Sequence, residues 1–437
     1  MNVAIVGYAL DGRSSCNYFL ARGDRVTICD QNIALASEIP KGVVAQLGPH
    51  YLDDLDRFDL VVRTSGMSGE IIREKYPNIL DSSVTTNVNE FLRASPTKNM
   101  IGVTGTKGKG TTSTLIAKIL EEADERVFLG GNIGVPPLSF ISDVRPHDWV
   151  VLELSSFQLS DITHAPRIAV CLMVVPEHLN WHKNLDDYYA AKSNLFAHQK
   201  DKDIAIYYAD NEASHRIASN SPGDKLTYYA APGAYVQDGE IIIDNQVICK
   251  TSELKLLGEH NWQNVCAAVT AVWQAGVMDI DPIRTVLTSF SGLPHRLEPL
   301  GEHDDVTYFN DSFAATPDAA IAGMEAIPGN KVMIMGGFDR RLPIGHMAQK
   351  LLDHERDLRK VVLIGESAGR LAGECDKLGF HNYYVCLAKT MPEIVSVATE
   401  HAKAGDSVIL SPGFASFDMF KNFEDRGLQF KAAVEDL

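Results

Sequence analysis

The stretch "GTKGKGTTST", which begins at Gly105, has the glycines, lysine and hydroxyl side chains that could hold a chain of phosphates. Gly105 and Gly108 allow backbone amides to close around anionic oxygens, and Lys109 supplies a positive charge. Phosphate loops usually place Ser or Thr directly after this lysine to bind magnesium, whereas Gly110 follows Lys109 here. Thr111 comes next, so we expect the hydroxyl ligand to be shifted by one position.

Further side chains could bind the divalent metal that accompanies a triphosphate. Glu153 ends the apolar run "VVLE", where a carboxylate is costly unless it is paired or bound to metal. Glu177 and His178 follow another apolar run in "VVPEHLNWH"; His178 could be a metal ligand or a hydrogen-bonded loop residue, and His182 could equally be structural. From its spacing alone, Lys192 in "DDYYAAKSNLF" is a solvent-facing lysine of a short helix.

Four polar residues later in the chain could contact the same ligand. Asn261 and Asn264 in "GEHNWQN" share one face of a predicted helix, where they could hold a purine or a ribose or simply cap the helix. Arg296 in "PHRLE" suits a phosphate, and Asp311 follows a predicted strand in "FNDSF".

The first residues of the chain predict another possible nucleotide site. The runs "NVAIVG" and "DRVTICD" predict two strands around a helix. The turn has the pattern Gly7-x-Ala9-x-x-Gly12 in place of three glycines, and Asp30 ends the second strand. This pattern is compatible both with a nucleotide site and with a plain tight turn. The run "LVVRTSGMSGE" adds a strand and a turn at Ser65 that could accept phosphate.

Strands and helices alternate along the chain, which predicts an α/β fold. We expect three domains, 1–93, 94–295 and 296–437. In the last of them, "KVMIMGG", "KVVLIGES" and "SVILSPG" each end an apolar strand in small residues before a helix. Parallel sheets bind ligands at such strand ends, so residues 336–341 and 411–417 are candidate site loops or merely short turns.

The bulk composition excludes several classes of protein. A formal charge of −17 over 437 residues argues against a general nucleic-acid binder, which needs a basic face. No apolar run approaches the length of a membrane span, and "MNVAIVGYALDG" begins as a strand and not as a signal peptide. The seven cysteines form no CxxC pair, which favours a reducing cytoplasm over a disulfide framework.

Taken together, the motifs resemble those of the Mur ligases, ATP-dependent amide-forming ligases of bacterial cell-wall precursor synthesis. The resemblance covers nearly the whole chain and rests on "GTKGKGTT", "GGNIGVP", "VLELSSFQL", "PEHLNWH", "YYAAKSNLF", "GEHNWQN", "GLPHRLE", "NDS" and "LSPGFASFDMFKNFEDRGLQF". The last motif and "LELSSFQL" are similar to the branch that adds D-glutamate to UDP-N-acetylmuramoyl-L-alanine.

The resemblance implies a UDP-binding Rossmann-like domain, a central P-loop ATPase domain and a C-terminal Rossmann-like domain that brings the amino acid. It implies UDP-sugar contacts at Leu10, Asp11, Gly12, Arg13, Asp30, Gln31, Ser65, Gly66, Asn87, Asn132 and Ser155. It implies ATP contacts at Gly105, Thr106, Lys107, Gly108, Lys109, Gly110, Thr111, Thr112, Asn264, Arg296 and Asp311. The implied catalytic residues are Lys109, Glu153, His178 and Lys192, with two magnesium ions held by Thr111, Glu153, His178 and a carbamate on Lys192. Ser416 and Phe423 would receive the incoming glutamate.

The reaction implied by the resemblance has two steps. The substrate carboxylate attacks the γ-phosphate of ATP to give an acyl phosphate, and the amine of glutamate then displaces phosphate. Lys109 and magnesium would neutralise the charge on the transferring group. The enzyme would be a cytoplasmic bacterial monomer that acts on small molecules, with neither nucleic acid nor membrane as a partner.

Several positions depart from the family pattern. Phe313 stands after "NDS" where a lysine is usual, and "GGFDRR" replaces a loop that usually carries another lysine. Because a dicarboxylate needs cationic partners, we predict that Arg340 or Arg341 binds the amino acid. The motif "PEHLNWH" has Glu177 and Asn180 where aspartate is usual.

These departures leave other functions open. A Mur ligase variant that adds L-glutamate would fit the altered amino-acid loops. A folylpolyglutamate synthase would share the order Lys109-Gly110-Thr111 and a glutamate substrate, but it would not need a UDP-binding domain. A nicotinamide oxidoreductase would leave the phosphate loop unexplained, and a GTPase would need a guanine-reading motif that the sequence lacks.

Overall fold

The structure is a computed structural model that describes residues 1–179, 181–256 and 258–437. Asn180, one of the departures from the family pattern, lies outside the described residues. The fold is α/β with sheets of mainly parallel strands, as the sequence predicts.

The chain divides into two compact units. The first comprises Met1–Leu254 and Glu259–Phe290, and the second comprises Lys255–Gly258 and Ser291–Leu437. The first unit contains two parallel sheets and a small antiparallel sheet, whereas the second contains one mixed sheet. The finer division of the first unit after residue 93 stays a prediction.

The first sheet has five parallel strands in the order β3-β2-β1-β4-β5. The strands are β1 Asn2–Val6, β2 Arg25–Asp30, β3 Val44–Leu47, β4 Leu60–Arg63 and β5 Val84–Thr86. The helices of this region are α1 Leu10–Ala21, α2 Gly69–Lys75 and α3 Asn87–Ala94. Along β1, Val3 and Ile5 belong to one apolar cluster, and Ala4 and Val6 belong to another. The strand order reverses between β1 and β4, which is where parallel sheets open a ligand crevice.

The second sheet has six parallel strands in the order β11-β10-β9-β6-β8-β7. The strands are β6 Met100–Thr104, β7 Val127–Gly131, β8 Trp149–Glu153, β9 Ile168–Cys171, β10 Ile204–Tyr208 and β11 Asp224–Tyr228. The helices are α4 Lys109–Glu122, α5 Ser156–Leu159, α6 Leu185–Ala197, α7 Glu212–Ala218, α8 His260–Ala275 and α9 Ile280–Ser289. Strand β6 is fully buried between β8 and β9. The loop that follows β6 therefore begins with a strand on either side of it.

A small antiparallel sheet follows β11 in the chain. Its strands are β12 Tyr235–Gln237, β13 Glu240–Ile243 and β14 Gln246–Lys250. The turns that join these strands use left-handed residues, among them Asp238 and Asn245. The alternation of strands and helices expected for this region did not predict this sheet.

The second unit is built on a sheet with the order β15-β16-β20-β17-β18-β19. The strands are β15 Glu298–His303, β16 Val306–Asn310, β17 Lys331–Gly336, β18 Leu358–Ile364, β19 Tyr383–Val385 and β20 Ser407–Leu410. The helices are α10 Pro317–Ala326, α11 Gly345–Asp353, α12 Ala368–Leu378, α13 Met391–His401 and α14 Phe423–Glu435. Only β15 runs antiparallel to its neighbour, so the loops after β16, β20 and β17 leave the same edge side by side.

None of the helices in the described part of the chain combines the length and the apolar character needed to cross a membrane. All seven cysteines are buried free thiols.

Candidate active site

The loop between β6 and α4 has the backbone of a phosphate-binding turn. Gly105 has φ 143° and Gly108 has φ 84°, both in the region that favours glycine. A Cβ atom at Gly105 would lie 2.7 Å from the Cβ atom of Leu172, and one at Gly108 would collide with the amide oxygen of Asn264. Glycine is therefore required at both positions. Helix α4 begins directly after this turn at Lys109, so its first backbone amides can receive an anion.

Lys109 folds over its own loop. Its Nζ atom donates hydrogen bonds to the carbonyl oxygens of Gly105 at 3.1 Å and Thr106 at 3.0 Å. The hydroxyl of Thr106 accepts from the amide of Val175 at 3.0 Å and lies 2.8 Å from the hydroxyl of Tyr188. The loop is thereby fixed to the segment that follows β9, while the lysine keeps its cation over the turn.

Hydroxyl side chains line the first turn of α4. Thr111, the expected magnesium ligand, is half-buried. The hydroxyls of Thr112 and Ser113 are buried, and within the described ranges they have no hydrogen-bond partner. A buried polar atom without a partner is expected where a ligand supplies one. The turn thus fits a polyphosphate with its metal.

Lys192 is only 2% exposed, so the solvent-facing position predicted from its spacing is wrong. Its Nζ atom donates to the carbonyl oxygen of Gly105 at 2.8 Å, lies 3.5 Å from the hydroxyl of Thr104, and is 4.7 Å from the ring centre of Tyr188. Burial, and then repulsion from the Lys109 cation, lowers the pKa of Lys192 to about 7. Near neutral pH much of this amine is therefore uncharged and nucleophilic.

Glu153 reaches the same sheet edge as the phosphate loop. It ends β8 opposite Val103, two residues before Gly105. The carboxylate is buried, and its Oε1 atom accepts a hydrogen bond from the side-chain amide of Asn132 at 2.8 Å. A buried carboxylate at the end of a strand beside the phosphate loop is the hard oxygen ligand that Mg²⁺ prefers.

His178 lies on the loop after β9 in a left-handed conformation with φ 59°. Its ring centre is 4.8 Å from that of Phe157. Burial lowers the pKa of His178, and Glu177 partly opposes this change. One carboxylate oxygen of Glu177 lies 3.4 Å from the Nζ atom of Lys107, which links this loop to the phosphate loop. A neutral imidazole here fits the metal-ligand role.

Contacts with two side chains of the protein fix the position of His182. Its Nδ1 atom lies 3.1 Å from a carboxylate oxygen of Asp187, and its Nε2 atom lies 2.9 Å from the hydroxyl of Ser156. Both ring nitrogens are therefore engaged, which favours the structural interpretation of this histidine.

Asn264 packs against the phosphate loop. Its amide oxygen occupies the space that a Cβ atom at Gly108 would need, and its Nδ2 atom donates to the Oδ1 atom of Asn261 at 2.9 Å. The structure thus brings the predicted asparagine pair to the loop, together with Lys109 and Lys192.

Asp30 and Gly12 shape the turn after β1. The carboxylate of Asp30 accepts from the backbone amides of Tyr8 and Asn32, both at 2.8 Å. A Cβ atom at Gly12 would collide with the carbonyl oxygen of Gly7. The tight packing of α1 against the turn therefore accounts for Gly12 without a ligand, and the nucleotide interpretation of this pattern needs other support.

Three residues predicted to bind UDP-sugar do meet in the crevice between β1 and β4. The hydroxyl of Ser65 donates to the carboxylate of Asp11 at 3.2 Å. The side-chain amide of Asn87 donates to the Asp11 carbonyl oxygen at 3.3 Å and to the hydroxyl of Ser15 at 2.9 Å. Burial raises the pKa of Asp11.

The remaining residues of the predicted UDP-sugar set differ in exposure. Leu10, Gln31 and Gly66 are exposed, and Arg13 forms an ion pair with Glu38, which ends the short 3-10 helix after β2. Ser155 caps α5, where it accepts from the backbone amide of the third helical residue at 3.3 Å.

In the second unit, Asp311 is a buried carboxylate at the end of β16. Its Oδ2 atom accepts from the hydroxyl of Ser411 at 2.7 Å, and its Oδ1 atom accepts from the backbone amide of Leu297 at 3.1 Å. Burial raises the pKa of Asp311 to about 7 against the lowering effect of these hydrogen bonds. The loops after β16 and β20 are thus joined at this carboxyl group.

Arg296 is held by the residue that replaces the usual lysine. Its guanidinium carbon lies 3.9 Å from the ring centre of Phe313, a cation–π contact. The backbone amide of Phe313 donates to the carbonyl oxygen of His295 at 2.9 Å, and its ring meets that of Phe423 edge-on at 5.0 Å. Phe313 therefore fixes the direction of a cation instead of supplying one.

The two arginines predicted to bind the amino acid differ in their surroundings. Arg340 is exposed and donates to the carbonyl oxygen of Ala315 at 2.8 Å, in the loop after β16. Arg341 has φ 60°, and its side chain is 77% exposed. Between them and the sheet, Asp339 binds Arg370 through two hydrogen bonds of 2.7 and 2.6 Å. Arg340 thus has the closer connection to the loops at this edge.

Ser416 is buried in the loop after β20, and Phe423 begins α14. The hydroxyl of Ser312 donates to the carbonyl oxygen of Phe423 at 2.8 Å. Arg426, fully buried, donates to the hydroxyl of Ser312 at 2.9 Å and to its carbonyl oxygen at 2.8 Å. Burial lowers the pKa of Arg426 to about 10, so it stays charged at neutral pH.

Comparison with known proteins decides the family. The UDP-N-acetylmuramoylalanine–D-glutamate ligase of Clostridium kluyveri is 34% identical over 452 residues, which cover 100% of this chain and 96% of the relative. The ligase of the same name from Acetivibrio thermocellus is 36% identical over 460 residues, with the same coverage. This chain belongs to the Mur ligase family. The Mur ligase middle domain matches residues 103–272, and the Mur ligase glutamate ligase domain matches residues 295–414.

Solved Mur ligases share the fold of this one. A crystal structure of MurF from Acinetobacter baumannii aligns with a TM-score of 0.61 at 17% identity and covers 99% of this chain and 90% of that one. MurC from Thermotoga maritima aligns with a TM-score of 0.56 at 18% identity and covers 100% and 99%. The predicted family and fold are confirmed, and a nicotinamide oxidoreductase or a GTPase is excluded.

Several buried polar residues of this Mur ligase were missed by sequence reasoning. They are Arg63, Asp161, Tyr188 and Arg426. For Arg63 the signal was present, since it ends the apolar run "LVVR" as Glu153 ends "VVLE". A charge at the end of a buried strand needs a partner in both cases.

Proposed function

We propose that this Mur ligase joins D-glutamate to UDP-N-acetylmuramoyl-L-alanine at the expense of ATP, through an acyl phosphate. The observation that carries the proposal is the meeting of Lys109 and Lys192 at the Gly105 carbonyl oxygen, 3.1 and 2.8 Å away. Lys109 over the glycine-rich turn supplies a cation for a highly charged phosphoryl group, and Lys192, once a carbamate, would join Glu153 at the same edge as a magnesium ligand. The full-length similarity to D-glutamate ligases supports the choice of substrates.

The residues of the phosphate loop would hold ATP and respond to it. The amides of the turn and of the first residues of α4 would bind the phosphates, and Lys109 would exchange its two carbonyl acceptors for phosphate oxygens. Asn264 would meet the nucleotide beside Gly108. Because the lysine already lies over the turn, only a short movement is needed to follow the charge that develops on the γ-phosphate.

Thr111, Glu153, His178 and a carbamate on Lys192 would hold the magnesium ions. When bound, magnesium supplies charge neutralisation for the transferring phosphoryl group. The oxygen and imidazole donors named here suit a hard divalent cation, and the Asn132 amide orients the Glu153 carboxylate. The shift of the hydroxyl ligand from position 110 to Thr111 is part of this proposal.

The carbamate on Lys192 would follow from its burial. The lone pair of the uncharged amine attacks the carbon of CO₂, an N–C bond forms, and a proton leaves to solvent. The product is an anion where a buried cation would have been repelled by Lys109. The change of sign makes the site attractive to magnesium.

In the second unit, we propose that Arg340 takes the part of the missing lysine in binding the glutamate, with Arg341 as the more exposed partner. Ser416 and Phe423 would complete the amino-acid site, and Arg296 and Asp311 would contact ATP. The proposal takes the domains as 1–93 for UDP-sugar, 94–295 for ATP and 296–437 for the amino acid. It takes the enzyme as a cytoplasmic monomer.

The test is turnover by the purified protein. ATP, magnesium and UDP-N-acetylmuramoyl-L-alanine are incubated with D-glutamate, L-glutamate or other amino acids in turn, and phosphate release and product mass are measured. We expect release that needs both the sugar nucleotide and D-glutamate. Lys109→Met should abolish it, whereas Lys118→Met, an exposed lysine of the same helix, should not. Release with L-glutamate alone would favour the L-glutamate-adding variant, and no release with either isomer would reject the proposal.

A further inference from the structure

Arg63 is a fully buried cation at the end of β4 that sequence reasoning did not assign. The residue is 1% exposed, and its Nε atom donates to the carboxylate of Asp161. One terminal nitrogen donates to the carbonyl oxygen of Met67 at 2.7 Å. The other donates to the carbonyl oxygen of Phe157 at 3.0 Å and to the hydroxyl of Ser160 at 2.6 Å. Each nitrogen of the guanidinium is thus used.

The partners of Arg63 come from two separate segments. Met67 belongs to the loop between β4 and α2, whereas Phe157 and Ser160 belong to α5 and the residue after it. The guanidinium therefore binds Phe157 and Ser160, which lie 94 and 97 residues further along the chain. Asp161 is also bound by Arg73 of α2, through two hydrogen bonds of 3.2 Å.

Each of these two segments carries residues of the proposed UDP-sugar site. Ser65 and Gly66 follow Arg63 directly, in the crevice where the order of the first sheet reverses. Ser155 precedes Phe157 and caps α5. One rigid, planar side chain thus links the two groups of proposed substrate contacts.

We propose that Arg63 is a positioning residue that holds the Ser65–Gly66 loop and the Ser155 turn at the spacing needed to bind UDP-N-acetylmuramoyl-L-alanine. This inference rests on the proposed function. Arg63 does not itself contact substrate, because its five N–H donors are all used within the protein, the fifth on the carbonyl oxygen of Thr64 at 3.3 Å.

A lysine could not take over this role. A single ammonium cannot reproduce the flat fork that reaches Asp161, Met67 and Phe157 in three directions. Loss of the guanidinium would leave the buried carbonyl oxygens of Met67 and Phe157 without these donors. The loop after β4 and helix α5 could then separate. A displacement of about 1 Å in a substrate-positioning element can cost on the order of a hundredfold in reaction efficiency.

The test compares Arg63→Lys and Arg63→Gln with Arg73→Lys, in which a half-exposed arginine on the same carboxylate is changed. We expect the Arg63 variants to raise the KM for the UDP-sugar about ten- to a hundredfold, with the KM for ATP and the kcat at saturation within about twofold. Arg73→Lys should change the KM for the UDP-sugar less than about threefold. Thermal unfolding of each variant identifies those that are folded.

An unchanged KM for the UDP-sugar in a folded Arg63→Lys variant would overturn the positioning role. A uniform loss of kcat that follows the unfolded fraction would also overturn it, because it would show stabilisation alone. If the Arg63 variants do not fold, Asp161→Asn keeps the shape of the partner, and calorimetry should detect weaker binding of the UDP-sugar to it than to the wild type. Equal affinity would reject the inference. Absence of wild-type turnover with this substrate would overturn the proposed function as well, whereas the other outcomes leave that function standing.

Discussion

The amine of Lys192 lies where a cation is costly. Its Nζ atom has acceptors in Gly105 and Thr104 but also lies near the Lys109 cation, and burial dominates the lowering of its pKa. A lysine in such surroundings has two ways to reduce this cost, loss of its proton or conversion to an anion. A carbamate would do both, and it would add oxygen ligands next to the phosphate loop.

Lys192→Ala should therefore reduce kcat by on the order of a hundredfold or more, because it would remove the proposed ligand of the magnesium ion that neutralises the transferring phosphoryl group. Formate or acetate should partly restore the rate by filling the vacated space with a carboxylate. Steady-state phosphate release measures both effects, and carbon-13-labelled bicarbonate should give a carbamate signal in the wild type only. Lys118→Ala is the matched control. Full activity of Lys192→Ala without added carboxylate would contradict the role.

Asp311 gives a prediction about stability and pH. Its pKa is about 7 in the folded protein against an ordinary value of 3.8, so the folded state binds the proton more tightly. The stability that this proton contributes is complete below about pH 4 and is lost as the pH rises through about 7. Asp311→Asn should therefore become more stable relative to the wild type across this window, by up to a few kcal/mol.

Calorimetric unfolding of both proteins at several pH values measures this difference. Asp318→Asn, a change at an exposed carboxylate of α10, should give no such trend. A difference between Asp311→Asn and the wild type that stays constant from pH 4 to pH 8 would show that the carboxyl group does not titrate in that range.

At the scale of the element, the proposed amino-acid site depends on the strand order of the second unit. Because β20 lies between β16 and β17, three loops that are distant in sequence leave the sheet side by side. The hydrogen bond from Arg340 to Ala315 joins two of them, and the one from Ser411 to Asp311 joins another pair. We therefore expect a cation on one of these loops to be able to replace a lysine lost from a neighbouring loop.

Arg340→Ala should accordingly raise the KM for glutamate about tenfold or more while the KM for ATP stays nearly constant, since a charge-assisted hydrogen bond contributes about 1.5–3 kcal/mol. Arg341→Ala should have a smaller effect because that side chain is more exposed. Arg356→Ala, an exposed arginine before β18, is the control. An unchanged KM for glutamate in the double variant Arg340→Ala, Arg341→Ala would show that other groups bind the dicarboxylate.

Sequence predicted those elements whose signals are local. Apolar runs followed by glycine or a capping residue gave β1, β6, β17 and the start of α4, and the glycines of the phosphate loop are needed for its backbone geometry. Burial of Lys192 could not be predicted this way, because its acceptors lie 87 and 88 residues away in the chain. The hydrogen bond from Arg63 to Phe157 of α5 could not be predicted for the same reason, because partners so distant in sequence leave no local pattern.

At the scale of the whole molecule, the residues proposed for the UDP-sugar and those proposed for the amino acid belong to different compact units. Residues proposed for UDP-sugar belong to the first unit, as do those of the phosphate loop, whereas Arg340, Ser416 and Phe423 belong to the second. Each unit has apolar clusters of its own, on which its stability depends. A ligand held within one unit should therefore stabilise that unit selectively.

UDP-N-acetylmuramoyl-L-alanine should shift one of two unfolding transitions in calorimetry. At about 100 times its Kd it should stabilise the first unit by about 2.7 kcal/mol and leave the transition of the second unit in place, because a ligand stabilises only the state that binds it. Hydrogen exchange read along the chain assigns each transition to its unit. Uridine alone, at the same concentration, controls for nonspecific effects of the base. A shift of the second transition alone would place the sugar nucleotide outside the first unit and would contradict the assignment of Ser65, Asn87 and Ser155 to its site.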